Sequence, residues 1–279
     1  MRHLLIFGLG YCGAAIAEHA RAAGFTVAGT SRSGAAGSIP FDNAGAEIAA
    51  ATHILCTAAP DDAGDPVLAL YAAAIAAAPA LQWIGYLSST VVYGNRDGGW
   101  VDEDTPPAPT QARGIRRVAA EAAWAALPGC VDIFRLAGIY GAGRSVFDDL
   151  RAGRARRTIK PGHCFGRIHQ DDIAHAVVAA MLQDRSAGRR DLNLTDDEPS
   201  ESAAVVTEAA ALLGIEPPPA IAFADALPAM SPMARGFWAE NRKVSCAASK
   251  TALNLAWRYP TYREGLRAIL RQEGAERPV

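Results

Sequence analysis

Three glycines near the start of the chain, Gly8, Gly10 and Gly13, follow at once on a wholly apolar run, Leu4 to Phe7. That spacing could seat a phosphate. Gly8 permits a tight turn, Gly10 lets an anion approach bare backbone, and Gly13 lets a following helix lie close to the strand. Leu9, Tyr11 and Cys12 complete the turn, and the helix beginning there would aim unpaired N–H groups and the positive end of its dipole at the anion. One strand further on the chain reads Thr30, Ser31, Arg32, a hydroxyl followed by a guanidinium fork. Those groups suit a phosphate monoester, whereas the Asp or Glu usual at this place suits ribose hydroxyls.

These groups need particular elements to hold them. Leu4 to Phe7 reads as a strand buried on both faces, Ala14 to Ala23 as a helix stopped by Gly24, and Phe25 to Gly29 as the next strand. A G-x-G-x-x-G turn between strand and helix is the context a dinucleotide site requires; the competing reading is a glycine-rich turn with no ligand. Ser31 and Arg32 favour NADP over NAD, against the reading of Arg32 as a solvated loop residue. A charge-assisted contact of about 1.5–3 kcal/mol would give roughly a ten- to hundredfold preference.

Beyond Arg32 a Gly/Ala/Ser loop leads to a short strand at Ser38 to Phe41, a helical turn at Glu47 to Ala51 and a buried strand at His53 to Thr57. The small residues Ala58 and Ala59 after Thr57 leave room for a cofactor. An alanine-rich helix ending near Ala78, a strand from Leu81 to Ser88, a helix capped by Thr110 and running to Leu127, and a strand from Val131 to Leu136 continue the alternation. This pattern predicts an α/β fold with a doubly wound parallel Rossmann sheet. The chain turns basic between Arg144 and Lys160. Later elements are a helix opened by Asp171 or Asp172 and running to Gln183, a strand from Leu192 to Thr195, a helix from Ser200 to Leu213, and a last helix from Tyr262 to Gln272.

Composition narrows the function. At 279 residues with a formal net charge of −2, the chain offers no bulk attraction to nucleic acid or to an anionic membrane. Its five cysteines have no metal-like spacing and read as reduced thiols of a cytoplasmic protein. Val67 to Leu87 is uncharged, but its alanine content, Pro79 and Gln82 argue for a helix and a strand over a membrane span. The apolar run at the N-terminus is too short for a signal peptide. Asp102, Glu103 and Asp104 read as a solvated flap or, alternatively, as functional acids.

Five phrases then fall in order: YLSSTVVYG (Tyr86 to Gly94), FRLAGIYGAGR (Phe134 to Arg144), RIHQDDIAHAV (Arg167 to Val177), LNLTDDEPS (Leu192 to Ser200) and YPTYREGL (Tyr259 to Leu266). With them the chain resembles the extended short-chain dehydrogenase/reductase family, which includes NAD(P)-dependent epimerases and dehydratases of nucleotide sugars. The resemblance implies a Rossmann domain over 1–140, with 168–195 returning to it, and a smaller α+β substrate domain made of 141–167 and 196–279. It implies a cofactor site that adds Ser88 and Gly138 to the glycine turn. It implies a cleft in which Thr90, Tyr93, Arg144 and His169 meet a small anionic or sugar-nucleotide substrate. Many members dimerise through the helices after the fourth and fifth strands, so a homodimer is an expectation here.

The chain departs from the family at the catalytic positions. Ser89 stands where the family has its Ser or Thr, but Arg113 and Arg117 occupy the places of the Tyr and Lys that relay the proton, as in an atypical branch. A guanidinium neither gives nor takes a proton at neutral pH, so Arg113 cannot replace a tyrosine. Arg117 could still donate to a ribose. Arg113, Arg116 and Arg117 are either a solvated basic face, with Arg117 paired to Glu121, or an anion-binding face in the cleft. Tyr140 and Tyr93 are the candidate surrogate acids, against a packing role for both. Two functions remain open: an NADP-dependent oxidoreductase or epimerase-like enzyme with a non-standard acid/base, and a non-catalytic NADP(H)-binding sensor or scaffold.

Overall fold

The computed structural model describes residues 2–34 and 37–275. Residues 35 and 36 of the loop after Arg32, and 276–279 at the end of the expected substrate domain, lie outside the described residues.

In chain order the main elements begin β1 (His3–Phe7), α1 (Tyr11–Ala22), β2 (Thr26–Ser31), β3 (Ile39–Pro40), α2 (Gly45–Ala50), β4 (His53–Cys56) and α3 (Pro66–Ala76). They continue with β5 (Trp83–Ser89), α4 (Ala112–Ala125), β6 (Cys130–Leu136), α5 (Val146–Arg151), α6 (Gln170–Leu182), β7 (Gly188–Leu194) and α7 (Ser202–Leu212). The last are α8 (Pro232–Ala239), α9 (Ala247–Leu253) and α10 (Tyr262–Ala275). The seven strands form one sheet in the order β7-β6-β5-β4-β1-β2-β3, and every neighbouring pair is parallel. Because the order reverses between β1 and β4, a crevice opens beyond the C-terminal ends of those strands.

Strands buried on both faces need apolar side chains on both. Leu4, Ile6 and Leu55 pack with Ile16 and Ala20 of α1 and Ile173 and Val177 of α6 on one face. Leu5, Phe7 and Ile54 pack with Ile48 of α2, Val67 and Tyr71 of α3, and Trp124 of α4 on the other. A third apolar cluster joins Tyr140 to Phe147, Leu150, Val206, Tyr262 and Leu266 from α5, α7 and α10.

Four boundaries differ from the sequence reading, each for a local reason. β7 begins at Gly188 and not near Leu192, because the charges of 189–191 are neutralised in place. Arg190 Nη2 donates to Asp132 Oδ2 at 2.8 Å, and Arg189 donates to both Asp191 and Glu121. α4 is capped by Gln111 and not by Thr110, whose hydroxyl turns towards Glu240 at 3.5 Å. His169 caps α6 by accepting the Asp171 amide on Nδ1, while Asp172 accepts the Arg258 and Tyr259 amides at 2.7 and 3.1 Å. α7 starts two residues late because Ser200 and Glu201 pair with Phe165 and Cys164.

One buried polar network ties α4 to the sheet. Glu121 accepts from Ser88 Oγ at 2.6 Å, from Arg135 Nη2 at 2.8 Å and from Arg189 Nη2 at 2.9 Å, and Arg135 also meets Asp191 at 2.8 Å. Glu121 and Arg135 are each 1% exposed, so neither charge has solvent to fall back on. Removing one partner of such a set costs about 3–5 kcal/mol, because a buried charge is left uncompensated. Glu121→Leu is therefore expected to lower the urea unfolding midpoint by the equivalent of about 3 kcal/mol or more, and a loss under about 1 kcal/mol would show that the network is not what fastens α4.

Candidate active-site cleft

The glycine turn lies at the crevice, and each glycine can be assigned its reason. Gly8 has φ +101°, and a Cβ there would stand 2.6 Å from Thr57 Oγ1, which donates to the Gly8 carbonyl at 2.7 Å. A Cβ on Gly13 would collide with that same carbonyl oxygen. Gly10 is different: nothing lies within 4 Å of where its Cβ would be, and it flanks the start of α1 with no side chain capping the helix. Bare backbone N–H groups and open space thus coincide at one helix N-terminus, which is what an anion seat needs. Leu9 fastens the turn to β2, its amide donating to the Thr30 carbonyl at 2.9 Å and its side chain covering Gly29.

A cleft of about 790 Å³ opens at this turn. It brings together Gly10, Tyr11, Cys12, Thr57 and Ala59 with Ser88, Ser89, Thr90, Arg113 and Arg117, and adds Gly138, Tyr140 and Arg144. Burial pushes the Cys12 thiol up to about 11, so it is a packing group and not a nucleophile. Tyr11 crosses the cleft: its hydroxyl donates to the Ala142 carbonyl at 3.0 Å, and the Arg144 guanidinium lies 5.6 Å from its ring centroid. Ser89 Oγ accepts from the Val91 amide at 3.3 Å, while Ser88 is committed to Glu121.

The three α4 arginines separate. Arg117 does not pair with Glu121. It donates through Nη1 to Tyr86 Oη at 2.8 Å and to the Leu87 carbonyl at 2.7 Å, which anchors it to β5 at the cleft wall. Arg113 stacks on the Phe237 ring of α8, 4.5 Å from its centroid. Arg116 pairs with Asp62.

Several expected site residues stand outside the cleft lining. Gly8, Leu9, Gly13 and Ala58 support the wall from behind it. Tyr93 is fully buried, its hydroxyl donating to Asn193 Oδ1 at 2.8 Å and accepting from Arg135 at 3.0 Å, so it serves the core network and not the surface of the cleft. His169 is the α6 cap and stacks 4.2 Å from the Tyr259 ring. Tyr140 lines the cleft but turns its hydroxyl away, since a Cβ on Gly265 of α10 would collide with it. Burial, then the Asp196 carboxylate, pushes that hydroxyl far above the ordinary tyrosine range. It is poorly placed as a surrogate acid. Ser31 Oγ bonds Ser38 Oγ at 2.6 Å, and Arg32 is exposed at the tip of β2 with no hydrogen bond or ion pair among the described residues.

Sequence reading missed Phe237, Glu240 and Arg242, which line the cleft more than 110 positions after Arg113. No motif or spacing flagged them. Among the described residues no cluster of His, Cys, Asp and Glu could hold a metal ion, and no helix is long and apolar enough to cross a membrane.

The sheet order, the open glycine turn and the adjoining cleft define a dinucleotide-binding protein of Rossmann type. The chain belongs to the extended short-chain dehydrogenase/reductase family, the fold and sequence class of the NAD-dependent epimerases and dehydratases. A functionally unknown conserved protein from Silicibacter pomeroyi DSS is 41% identical over 99% of this chain and 100% of its own, with a TM-score of 0.87. A Methylobacillus flagellatus protein provisionally assigned as an NAD-dependent epimerase/dehydratase is 25% identical over 98% of each chain, with a TM-score of 0.74. Human epimerase family protein SDR39U1, solved with NADPH, shares the fold at 20% identity and a TM-score of 0.78 over 96% of this chain and 99% of its own. No family model and no curated protein matches the chain.

Behind the cleft wall, Tyr140 Oη, His169 Nε2, Thr195 Oγ1 and both Asp196 carboxylate oxygens are buried without a hydrogen-bond partner among the described residues. The Arg167 and Glu198 amides approach Asp196 but lack hydrogen-bond geometry. Burial pushes Asp196 up to about 7 and His169 down to about 4. The two act oppositely on stability. With its folded pKa raised, Asp196 stabilises fully below the carboxylate's ordinary value and loses that contribution as pH rises to about 7. With its folded pKa lowered, His169 costs stability as pH falls from its ordinary 6.5 to about 4. The contributions of these two groups are accordingly expected to offset each other across that window. Asp196→Asn should restore a steep rise from pH 4 to 6.5 and stabilise the fold at pH 8 by on the order of 3 kcal/mol. Melting curves across pH check this, and an unchanged profile in the variant would contradict it.

Proposed function

We propose that the protein is an NADP(H)-dependent oxidoreductase or epimerase-like enzyme of an atypical branch of its family, acting on a small anionic or sugar-nucleotide substrate. The observation that carries this reading is the clear face of Gly10 at the start of α1, open to the cleft. Residues 1–140 with 168–195 would form the cofactor domain, and 141–167 with 196–279 the substrate domain.

The residues fit the cofactor. Gly8 to Gly13 would cradle its diphosphate, with Arg144 over Tyr11 adding charge from across the cleft. Ser31 and the unpartnered Arg32 would hold the 2′-phosphate, and the NADPH found with human SDR39U1 supports that choice. Thr57, Ala58, Ala59, Ser88 and Gly138 would wall the remainder, and Arg117, held by Tyr86 and Leu87, would present its remaining donors to a ribose. Bound NADP(H) supplies hydride transfer. The chain's part is to orient the substrate beside Ser89 and Thr90 and to keep water out, which by itself removes much of the barrier to such a transfer.

One observation favours a second reading, a cofactor-binding protein without turnover. Arg113 stands where the proton donor is expected, and the Tyr140 hydroxyl faces α10. Calorimetry with NADPH and NADH tests the cofactor assignment, and product formation from a panel of carbonyl acids and nucleotide sugars, read by chromatography as well as by NADPH absorbance, separates the two readings. NADPH is expected to bind at least about tenfold more tightly than NADH, and Arg32→Ala to remove that difference while leaving NADH unchanged. Equal affinities, or an Arg32→Ala protein that still prefers NADPH, would contradict the NADP assignment. Tight NADPH binding with neither oxidation nor new product across the panel would favour the second reading.

A further inference from the structure

The cleft lining holds six arginines, Arg113, Arg116, Arg117, Arg144, Arg167 and Arg242, against one carboxylate, Glu240. Asp62 neutralises Arg116 from outside it, and Arg144 serves the glycine-turn end. At the other end two guanidinium groups, Arg113 and Arg242, share that one carboxylate. Arg113 makes no hydrogen bond or ion pair among the described residues, and its guanidinium carbon lies over the Phe237 ring, 4.5 Å from the centroid. A guanidinium stacked in this way keeps its N–H edge free for a planar anion. Arg242 spends only Nη1, on the Gly94 carbonyl at 2.9 Å and on Glu240 Oε2 at 2.8 Å.

Glu240 is the internal counter-ion of this pair. Its side chain is 4% exposed and it receives the Thr110 hydroxyl at 3.5 Å; burial, then the charge of Arg242, disfavours the protonated form of Arg113, and the charge of Glu240 opposes them. Two like charges held in a cleft walled by Leu87, Leu136, Val244 and Phe237 are screened less than they would be in open solvent. One carboxylate cannot satisfy both. α8, which carries Phe237, is held to α4 by Gln111 Nε2 donating to the Gly236 carbonyl at 2.9 Å, so the aromatic wall and Arg113 keep a fixed relation.

We propose that Arg113 and Arg242, against the Phe237 ring, form an oxyanion seat distinct from the glycine turn, and that it takes a carboxylate or phosphate at the reacting end of the substrate. The proposal rests on the reading of the cleft as an NADP(H) site, because that reading puts the nicotinamide end near α4. Glu240 competes for the same guanidinium and sets how tightly a ligand must bind to displace it. The seat also gives the Arg at position 113 a positive use where a proton donor is missing: it fixes the substrate's charge and leaves proton transfer to another group.

The test is a titration of the NADPH-saturated protein with inorganic phosphate, oxalate and UDP, followed by calorimetry and repeated without NADPH. Arg113→Met keeps bulk against Phe237 but removes the charge, and it should weaken phosphate and oxalate roughly tenfold or more. Glu240→Gln should tighten both by roughly tenfold, and neither change should alter NADPH affinity by more than about twofold. Phosphate and oxalate affinities unmoved by Arg113→Met would overturn the seat, and that variant, altered at an exposed position, does not depend on the buried Glu240→Gln protein folding. UDP weakened by Arg113→Met while phosphate and oxalate are unmoved would place a nucleotide diphosphate there and overturn the assignment to the reacting end. If wild type fails to bind NADPH, the cofactor reading falls, and the titrations without NADPH still decide the seat.

Discussion

The contact between Gly13 and the Gly8 carbonyl is the constraint on which the rest of the molecule depends. No side chain fits between them, so α1 can lie against the start of the turn only if position 13 is glycine. That approach brings the N-terminus of α1 beside the ends of β1 and β4, where Thr57 clasps the Gly8 carbonyl. Gly10 is then left as bare backbone over a cleft, and the unpaired amides of the helix face open space. The anion seat is thus a by-product of close packing in the core.

A second, polar constraint aligns the opposite wall. Glu121 on α4 holds Ser88 at the end of β5 and Arg135 on β6 at once, and Arg135 reaches Tyr93 just beyond β5. The helix is therefore registered against the sheet by ion pairs as well as by Trp124 and Ala120 in the core. This registration decides where Arg113 and Arg117 emerge. It also explains why Tyr93 sits so deep: its hydroxyl completes a buried network in which every unpaired group would be costly. On the proposed reading, two arginines in place of a proton-relay pair would make this wall one that holds charge and not one that moves protons.

Much of this was legible in the sequence because it rests on local rules. The glycine spacing, the apolar strands and the alternation of strand and helix each follow from short stretches, and the parallel Rossmann sheet they predict is the one found. What was not legible depends on pairings between distant residues. The charged start of β7 fell outside the strand expected from Leu192, because nothing in 189–191 reveals Asp132 or Glu121 as partners. Tyr140 and His169 fall in motifs that lead to the cleft, yet the packing of α10 and the capping of α6 turn their polar atoms elsewhere. Glu240 and Arg242 belong to no recognisable pattern, and only the folding back of the chain after α8 brings them beside α4.

The most direct measurement is NADPH binding to Gly10→Val by equilibrium dialysis, with the melting temperature measured in parallel. Position 10 has φ −81° and an empty surround, so the folded protein can accept the larger residue without strain, whereas the anion seat cannot. The account predicts a melting temperature within a few degrees of wild type and NADPH affinity reduced by about a hundredfold or more. A variant that melts normally and still binds NADPH as wild type does would show that the open face at Gly10 is not where the diphosphate sits.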